Sequence, residues 1–280
     1  MGTKIKLKTM INKKLLEPQS VVVVGGSDDV QKPGGKVLKN LIDSGFKGKL
    51  YVVNPKLDEV QGIKSYRTVN ELPQVDCAIL AIAAKFCEDA ITVLTSEKQT
   101  GGFIILSAGF SEENHEGAEL EQRIVKILDN AGASLIGPNC VGLLNQTYSG
   151  IFTTPIPNLD SKGVDFISGS GATAVFIMES AIPKGLRFSS VYSVGNSAQI
   201  GVEDILKHLD ETYIHGESAP VKLLYIESVN KPQMLYKHAS SLIRKGAKLA
   251  AIKSGRPVAR LDSSEIAEQE QSRLRSDENP

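Results

Sequence analysis

Several turns in this chain place residues able to do chemistry at the ends of short apolar runs. Ala133–Ile136 runs into Gly137-Pro138-Asn139-Cys140-Val141-Gly142. Proline fixes φ in such a turn, and the glycines permit close backbone approach. At the carboxyl end of a parallel strand, this is where open α/β sheets place their ligands. Cys140 could act there as a nucleophile if a helix dipole lowered its pKa, although no histidine stands beside it in sequence. Near the start, Val21–Val24 runs into Gly25-Gly26-Ser27, and Pro33-Gly34-Gly35 leads into a helical pattern. Backbone N–H groups at a helix start attract phosphate oxygens. The spacing is not that of G-x-G-x-x-G, because Ser27 holds the third position. Lys56, after Asn54-Pro55, is either a point charge for a phosphate or a surface lysine. Farther on, Ile167-Ser168-Gly169-Ser170-Gly171-Ala172 passes from a strand pattern to a helix pattern. A serine-hydrolase elbow needs glycine two positions to either side of the nucleophile; around Ser170 those positions hold Ser168 and Ala172, so the elbow fails. A serine-capped tight turn and a phosphate-binding helix start both remain open. Glu227 ends the run Leu224-Tyr225-Ile226 and is either a solvated strand end or a functional carboxylate.

The elements that must position these residues are legible as alternating patterns. Ser20–Val24, Leu50–Val53, Val75–Ile82, Phe103–Leu106 and Ala133–Ile136 read as strands buried on both faces. Val37, Leu38, Leu41 and Ile42 share one helical face closed by Gly45; Leu120, Ile124, Ile127 and Leu128 share another, closed by Gly132. This alternation predicts a doubly wound, Rossmann-like parallel sheet with right-handed crossovers over residues 1–148. Two prolines in Thr153-Thr154-Pro155-Ile156-Pro157 mark a break, with the boundary within residues 146–162. The pattern then restarts as a smaller flavodoxin-like α/β unit over 160–256. Its strands are Val164–Ser168, Phe188–Val194, Val221–Glu227 and Lys248–Lys253; its helices are Thr173–Ala181, Val202–Leu209 and Met234–Lys245. Residues 257–280 are a polar tail, read as a helix around Glu265–Arg273 or as disorder. Lys plus Arg and Asp plus Glu number 32 each, so charge favours neither a nucleic-acid nor a membrane partner. No apolar run approaches the roughly 18 residues of a membrane span. The basic Met1–Lys14 segment has no continuous apolar core to follow it and does not read as an export signal. The three cysteines form no metal spacing, and a reducing cytoplasm is the expectation.

Taken in order, the strand-end segments at Gly25-Gly26-Ser27, Asn54-Pro55-Lys56, Ile82-Ala83-Ala84-Lys85-Phe86, Leu106-Ser107-Ala108-Gly109-Phe110 and Gly137–Gly142 resemble the CoA-binding domain of the NDP-forming acyl-CoA synthetases. That family includes the ADP-forming acetate–CoA ligases and the α subunit of succinyl-CoA synthetase. The resemblance covers residues 15–256. It implies that Gly26 and Ser27 meet the 3′-phospho-ADP part of coenzyme A and that Lys56 contacts the same ligand. It places Ala83, Ala84 and Lys85 at the adenine or pantetheine, although the family usually has a proline in that segment and this chain has none. Ser107, Ala108 and Gly109 match the fourth strand end. Pro138, Asn139 and Cys140 match the fifth, with no covalent role for the thiol. In the second unit the resemblance to an S-x-S-G segment implies that the helix start at Ser170 and Gly171 points at a phosphohistidine. Glu227 would orient that histidine. The reaction implied is acyl-CoA plus ADP and phosphate giving acid, CoA and ATP, through acyl phosphate and phosphohistidine.

The histidine is expected in a glycine-rich loop soon after Ser254, yet Pro257–Pro280 contains none. The chain's histidines, at 115, 208, 215 and 238, read as surface or boundary residues. An ATP-grasp portion for ADP/ATP and Mg is also missing, so an ATP-grasp partner subunit or domain is expected and the chain alone should not turn over. The tail is either a truncated product read out of frame or part of a natural CoA-binding protein without the ligase step. The rival readings are a non-catalytic CoA-binding module and a nicotinamide-binding oxidoreductase or sensor. The second strand ends Val53-Asn54-Pro55-Lys56, with no acid for a ribose hydroxyl until Asp58, which disfavours the nicotinamide reading.

Overall fold

Four valines in succession, Val21–Val24, can be buried only if both faces of their strand are covered. In the computed structural model, which describes residues 11–254, they are. Val21 and Val23 join one apolar cluster and Val22 and Val24 another, on opposite sides of the sheet. Each such side chain contributes about 1.5–3 kcal/mol when fully buried. The first half comprises α1 (Lys13–Leu16), β1 (Ser20–Val24), α2 (Pro33–Asp43), β2 (Lys49–Val53), β3 (Glu59–Val60), β4 (Ile63–Tyr66), β5 (Cys77–Leu80), α3 (Cys87–Ser96), β6 (Gly102–Ile105), α4 (His115–Ala131) and β7 (Ser134–Ile136). Its strands lie in the order β3-β4-β2-β1-β5-β6-β7. All pairs are parallel except the β3–β4 hairpin. This is the expected doubly wound sheet, with its topological switch at β1.

The second half comprises β8 (Gly142–Leu144), β9 (Ser149–Ile151), β10 (Leu159–Ser168), α5 (Gly171–Ala181), β11 (Phe188–Ser193), α6 (Val202–Glu211), β12 (Val221–Ile226), α7 (Pro232–Arg244) and β13 (Lys248–Lys253). The order is β13-β12-β10-β11-β8-β9, with β10 at the switch. Residues 142–151, at the end of the first predicted unit and the start of the break, cross to this second sheet. Leu143 and Leu144 pair antiparallel with Tyr192 and Val191.

Several local expectations are corrected. The strand predicted over Val75–Ile82 is confined to Cys77–Leu80, and Ile42 is 37% exposed instead of sharing the buried face of Val37, Leu38 and Leu41. Gly45 does end α2: at φ +68° its N–H bonds Ile42 O (2.9 Å) and Phe46 N–H bonds Leu41 O (3.2 Å). The β3–β4 hairpin, α3 and the β8–β9 hairpin were not anticipated. Among the described residues no helix is long and apolar enough to cross a membrane. The tail and the loop after Ser254 lie outside the described residues.

The two sheets share a core. The cluster holding Val21, Val23 and Leu38 continues through Leu143 and Tyr148 to Ile167, Leu206 and Leu242. Buried polar groups brace this junction. Asn40 on α2 donates to Ile151 O (2.6 Å) and Thr153 O (3.0 Å). Tyr148 OH donates to Leu15 O (2.7 Å), and Asn145 Nδ2 to Leu16 O (2.8 Å). Satisfying these groups away from water avoids about 1–3 kcal/mol of desolvation cost for each.

Candidate functional site

The turn after β1 is built on contacts that exclude side chains. Gly25 has φ +87°, and a Cβ on it would stand 2.5 Å from Ala81 O. A Cβ on Gly34 would stand 2.1 Å from Gly25 O. The first turn of α2 is therefore pressed against the turn that precedes it. Pro33 occupies its first positions, and Lys32 provides no side-chain cap. The uncapped backbone N–H groups of this helix start suit an anion. Ser27 Oγ accepts Asp29 N–H (3.1 Å), leaving its hydroxyl hydrogen to donate.

Lys56 is joined to this turn through its neighbour. Asn54 Nδ2 donates to Gly26 O (2.8 Å), while Asn54 Oδ1 accepts Lys56 N–H (2.9 Å). Lys56 is exposed. Gln61, which the sequence did not single out, clamps the loop from the β3–β4 hairpin. Its Nε2 donates to Ser27 O (2.7 Å) and Gly35 O (2.8 Å), and its N–H to Asp28 Oδ1 (2.7 Å). Gln61 and Gly62 both have positive φ, at 49° and 79°, as a tight hairpin turn demands.

The neighbouring strand ends meet in sheet order. Ser107 Oγ donates to Ile82 O, and Ser107 O accepts Asn139 N–H (2.9 Å). A Cβ on Gly109 (φ +104°) would stand 3.1 Å from Ala84 Cβ. Ala83, Lys85 and Ala108 are exposed at the rim. The Gly109 and Phe110 N–H groups bond Glu112 Oε1, at 2.7 and 3.3 Å, so they are satisfied internally. Burial pushes the Glu112 carboxyl up, but bonds from Asn196, Gly109 and Phe110 outweigh it and hold the group below its ordinary value.

The Gly137–Pro138 peptide is cis, Pro138 is buried and Asn139 is exposed. Cys140 points inward, with Sγ 3.3 Å from Ile105 O, and burial pushes its thiol up to about 12. A neutral buried thiol is a poor nucleophile. The Cys140 side chain therefore faces the core, while Asn139 beside it is exposed. The helix start at Ser170 adjoins the same turn: a Cβ on Gly171 would stand 3.1 Å from Val141 Cγ1. Ser170 Oγ accepts Thr173 N–H (3.4 Å), and Ser168 Oγ bonds across the turn to Ser170 O (2.7 Å). Glu227 is exposed, and a Cβ on Gly169 would lie 3.2 Å from its N. Contacts thus run from turn to turn across the first sheet and on to the Ser170 helix start of the second.

No histidine is engaged there. His115 pairs with Glu119 on α4, His215 bonds Lys245 O, and His208 lies toward the far ends of the strands beside Ser190 and Lys222. His238 is not a surface residue: it is 6% exposed, with Nδ1 2.7 Å from Asp210 Oδ2.

Two family models match the chain: "CoA binding domain" over residues 19–146 and "Succinyl-CoA ligase like flavodoxin domain" over 161–277. The chain belongs to the NDP-forming acyl-CoA synthetase family. The second match extends past Arg256, where the motif-level resemblance ends. It is 35% identical over 240 residues to the α subunit of an ADP-forming acetate–CoA ligase II of Pyrococcus furiosus, spanning 85% of this chain and 51% of that one. It is 37% identical over 226 residues to a trans-feruloyl-CoA synthase of an unknown prokaryotic organism, spanning 79% of this chain and 31% of that one. Among solved structures, a dinucleotide-forming acetyl-coenzyme A synthetase 1 of Ca. Korarchaeum cryptofilum, in complex with phosphate and ADP, superposes with a TM-score of 0.78 at 29% identity. The match covers 93% of this chain and 57% of that one. The chain therefore spans between about a third and about half of the curated relatives named here.

Sequence reasoning missed Glu112 and Asn196 as well as Gln61. Glu112 sits three residues after Gly109 and caps that turn, a pattern visible in the sequence. Asn196 reaches its partners across more than 50 positions, and nothing local announces it.

Proposed function

We propose that this chain is the CoA-binding, α-type portion of an NDP-forming acid–CoA ligase, acting on acyl-CoA, ADP and phosphate to give acid, CoA and ATP. The observation that carries the reading is the series of contacts that links the strand-end turns of one sheet and joins the last of them, at Val141, to the α5 start of the other. A phosphorylated, extended ligand could lie along the first sheet with its phosphates at the α2 start and its thiol end near Ser170. In this reading Gly26, Ser27 and Lys56 hold the phosphorylated nucleotide end. Ala83, Ala84, Lys85, Ser107, Ala108 and Gly109 line the middle, and Pro138, Asn139 and the Cys140 backbone the inner end. Ser170 and Gly171 present the positive end of α5 to a phosphoryl group, and Glu227 orients the histidine that carries it. Nucleotide and magnesium belong to an ATP-grasp partner subunit or domain. None of the chain's four histidines bonds Ser170, Gly171 or Glu227; His115, His215 and His238 pair instead with Glu119, Lys245 O and Asp210, which supports assigning turnover to a larger assembly.

Calorimetric titration of the purified chain with CoA and with NADH tests the reading. Binding of CoA and not of NADH is expected. NADH binding with no response to CoA would refute it in favour of the nicotinamide alternative. A coupled assay with acetyl-CoA, ADP and phosphate should show no sustained ATP formation by the chain alone.

A further inference from the structure

One side chain of the second half reaches into the strand-end turns of the first. Asn196, in the turn after β11, is half-buried. Its N–H donates to Pro138 O (3.0 Å), and Ala198 N–H donates to Gly137 O (3.2 Å). Its Oδ1 accepts from Asn139 Nδ2 (3.3 Å). Its Nδ2 donates to a Glu112 carboxylate oxygen and to Glu121 Oε2 (3.1 Å), with Ser111 Oγ at 3.2 Å. The other oxygen of Glu112 holds the N–H groups of Gly109 and Phe110. Gly109 in turn fits against Ala84. One amide is thus tied directly to the 137–139 turn, through Glu112 to the Gly109 turn, and through that to the Ala84 turn. A primary amide suits this place because it offers two N–H donors and an acceptor together. Aspartate, of the same shape, offers acceptors only and would face Glu112 and Glu121, with Glu113 close to Gly109.

We propose that Asn196 is a positioning residue that sets the Gly109 and Asn139 turns, so that the inner end of a CoA molecule is aimed at the Ser170 helix start. This rests on the coenzyme A reading above. Gly195 makes the approach possible: at φ +53°, a Cβ on it would stand 2.1 Å from Pro138 O.

The test uses the full chain, amide hydrogen exchange without ligand, and CoA titration. In Asn196→Ala the Gly109 and Phe110 amides should exchange at least about tenfold faster, and CoA affinity should fall about tenfold, the equivalent of one lost hydrogen bond. Asn196→Asp places a third carboxylate against Glu112 and Glu121, so it should lose at least as much at neutral pH and recover part of the loss as the pH is lowered. Asn196→Ala should show no such recovery, whereas a purely packing role would give both variants the same pH profile. Glu112→Ala reaches the same two amides from the first half and should also speed their exchange, which covers a failure of the Asn196 variants to fold. Unchanged Gly109 and Phe110 exchange in the folded variants would overturn the proposal whatever CoA does. Faster exchange with unaltered CoA affinity would overturn the positioning role. A wild-type chain that binds no CoA would instead refute the underlying reading, with the exchange rates still deciding whether Asn196 holds the turns.

Discussion

Gly34→Ala separates helix propensity from site geometry, because the two push in opposite directions. In an open helix the change would stabilise by about 0.8–1.0 kcal/mol. Here the new Cβ would stand 2.1 Å from Gly25 O and 2.9 Å from Gly25 C. Both neighbours are backbone, so no rotamer change can relieve them, and the turn must retreat by roughly 1–1.5 Å to reach normal contact. Overpacking of this kind costs about 1–3 kcal/mol, so the net loss of stability should be about 1 kcal/mol. The functional loss should be larger. A retreat of that size breaks a hydrogen bond from the α2 start to a phosphate, and a bond to a charged group is worth about 1.5–3 kcal/mol, or about 10- to 100-fold in affinity. Calorimetry with CoA and urea unfolding would be run on the same samples. Gly132→Ala is the control: Gly132 ends α4 at φ +66° with nothing within 4 Å, so the substitution strains the backbone without crowding a neighbour. It should cost about 1 kcal/mol of stability and leave CoA affinity intact. A folded Gly34→Ala protein that binds CoA as the wild type does would refute the phosphate role of this turn. So would an equal affinity loss in Gly132→Ala.

Cys140→Ala should leave CoA affinity within about twofold, since the thiol is buried against Ile105 O, and the native thiol should resist alkylation at mildly alkaline pH because burial holds it near 12. Fast alkylation in the native state would show the turn to be open. Lys222, 1% exposed, pairs with Asp165, which also accepts from Ser190 Oγ (2.6 Å). Lys222→Met strands that carboxylate and should cost about 3–5 kcal/mol in urea unfolding, and much of the loss should return in the Lys222→Met, Asp165→Leu double variant. Burial raises the Asp210 carboxyl, but bonds from Lys245, His238 and Ser241 outweigh it and leave the group below its ordinary value. Its contribution to stability is therefore complete above the unfolded pKa of about 3.9 and is lost as pH falls through the lower folded value. Asp210→Asn should remove that part of the acid dependence, and an unchanged urea-midpoint profile below about pH 4 would contradict the assignment.

The elements legible in the sequence are those whose burial is written into consecutive residues. Val21–Val24 needs cover on both faces, and the spacing of Val37, Leu38 and Leu41 needs a helix against them. The same logic reached the strand-end turns, because glycine is required where backbone passes this close to backbone, as at Gly25, Gly34 and Gly137. What escaped was set by partners distant in sequence. Gln61 occupies a positive-φ position that usually falls to asparagine or aspartate, and the bonds of its side chain to Ser27 O and Gly35 O accompany that conformation. In α3, β-branched Ile91, Thr92, Val93 and Thr95 dilute the helical preference, while the burial of Cys87, Ala90, Ile91 and Leu94 gives the helix a packed face. The β8–β9 hairpin reads as the close of one unit because nothing near it signals that Leu143 and Leu144 pair with β11.

The geometry of these linked turns follows from combining two switch points. Each sheet opens a crevice at the strand where its order reverses, β1 in the first and β10 in the second. Separately, each would be an ordinary anion-binding end of an α/β sheet. Here the 137–142 segment leaves β7 of the first sheet and enters β8 of the second, so the strand-end turn of one is also the covalent link to the other. Asn40, Asn145 and Tyr148 brace the junction of the two sheets with bonds spanning more than 100 positions. The turn at Cys140 and the helix start at Gly171 are in direct contact, with Val141 Cγ1 3.1 Å from where a Cβ on Gly171 would stand. On the proposed function, a long carrier held at its phosphate end by the first sheet would need no domain closure to bring its other end to the second, because one apolar core spans both sheets.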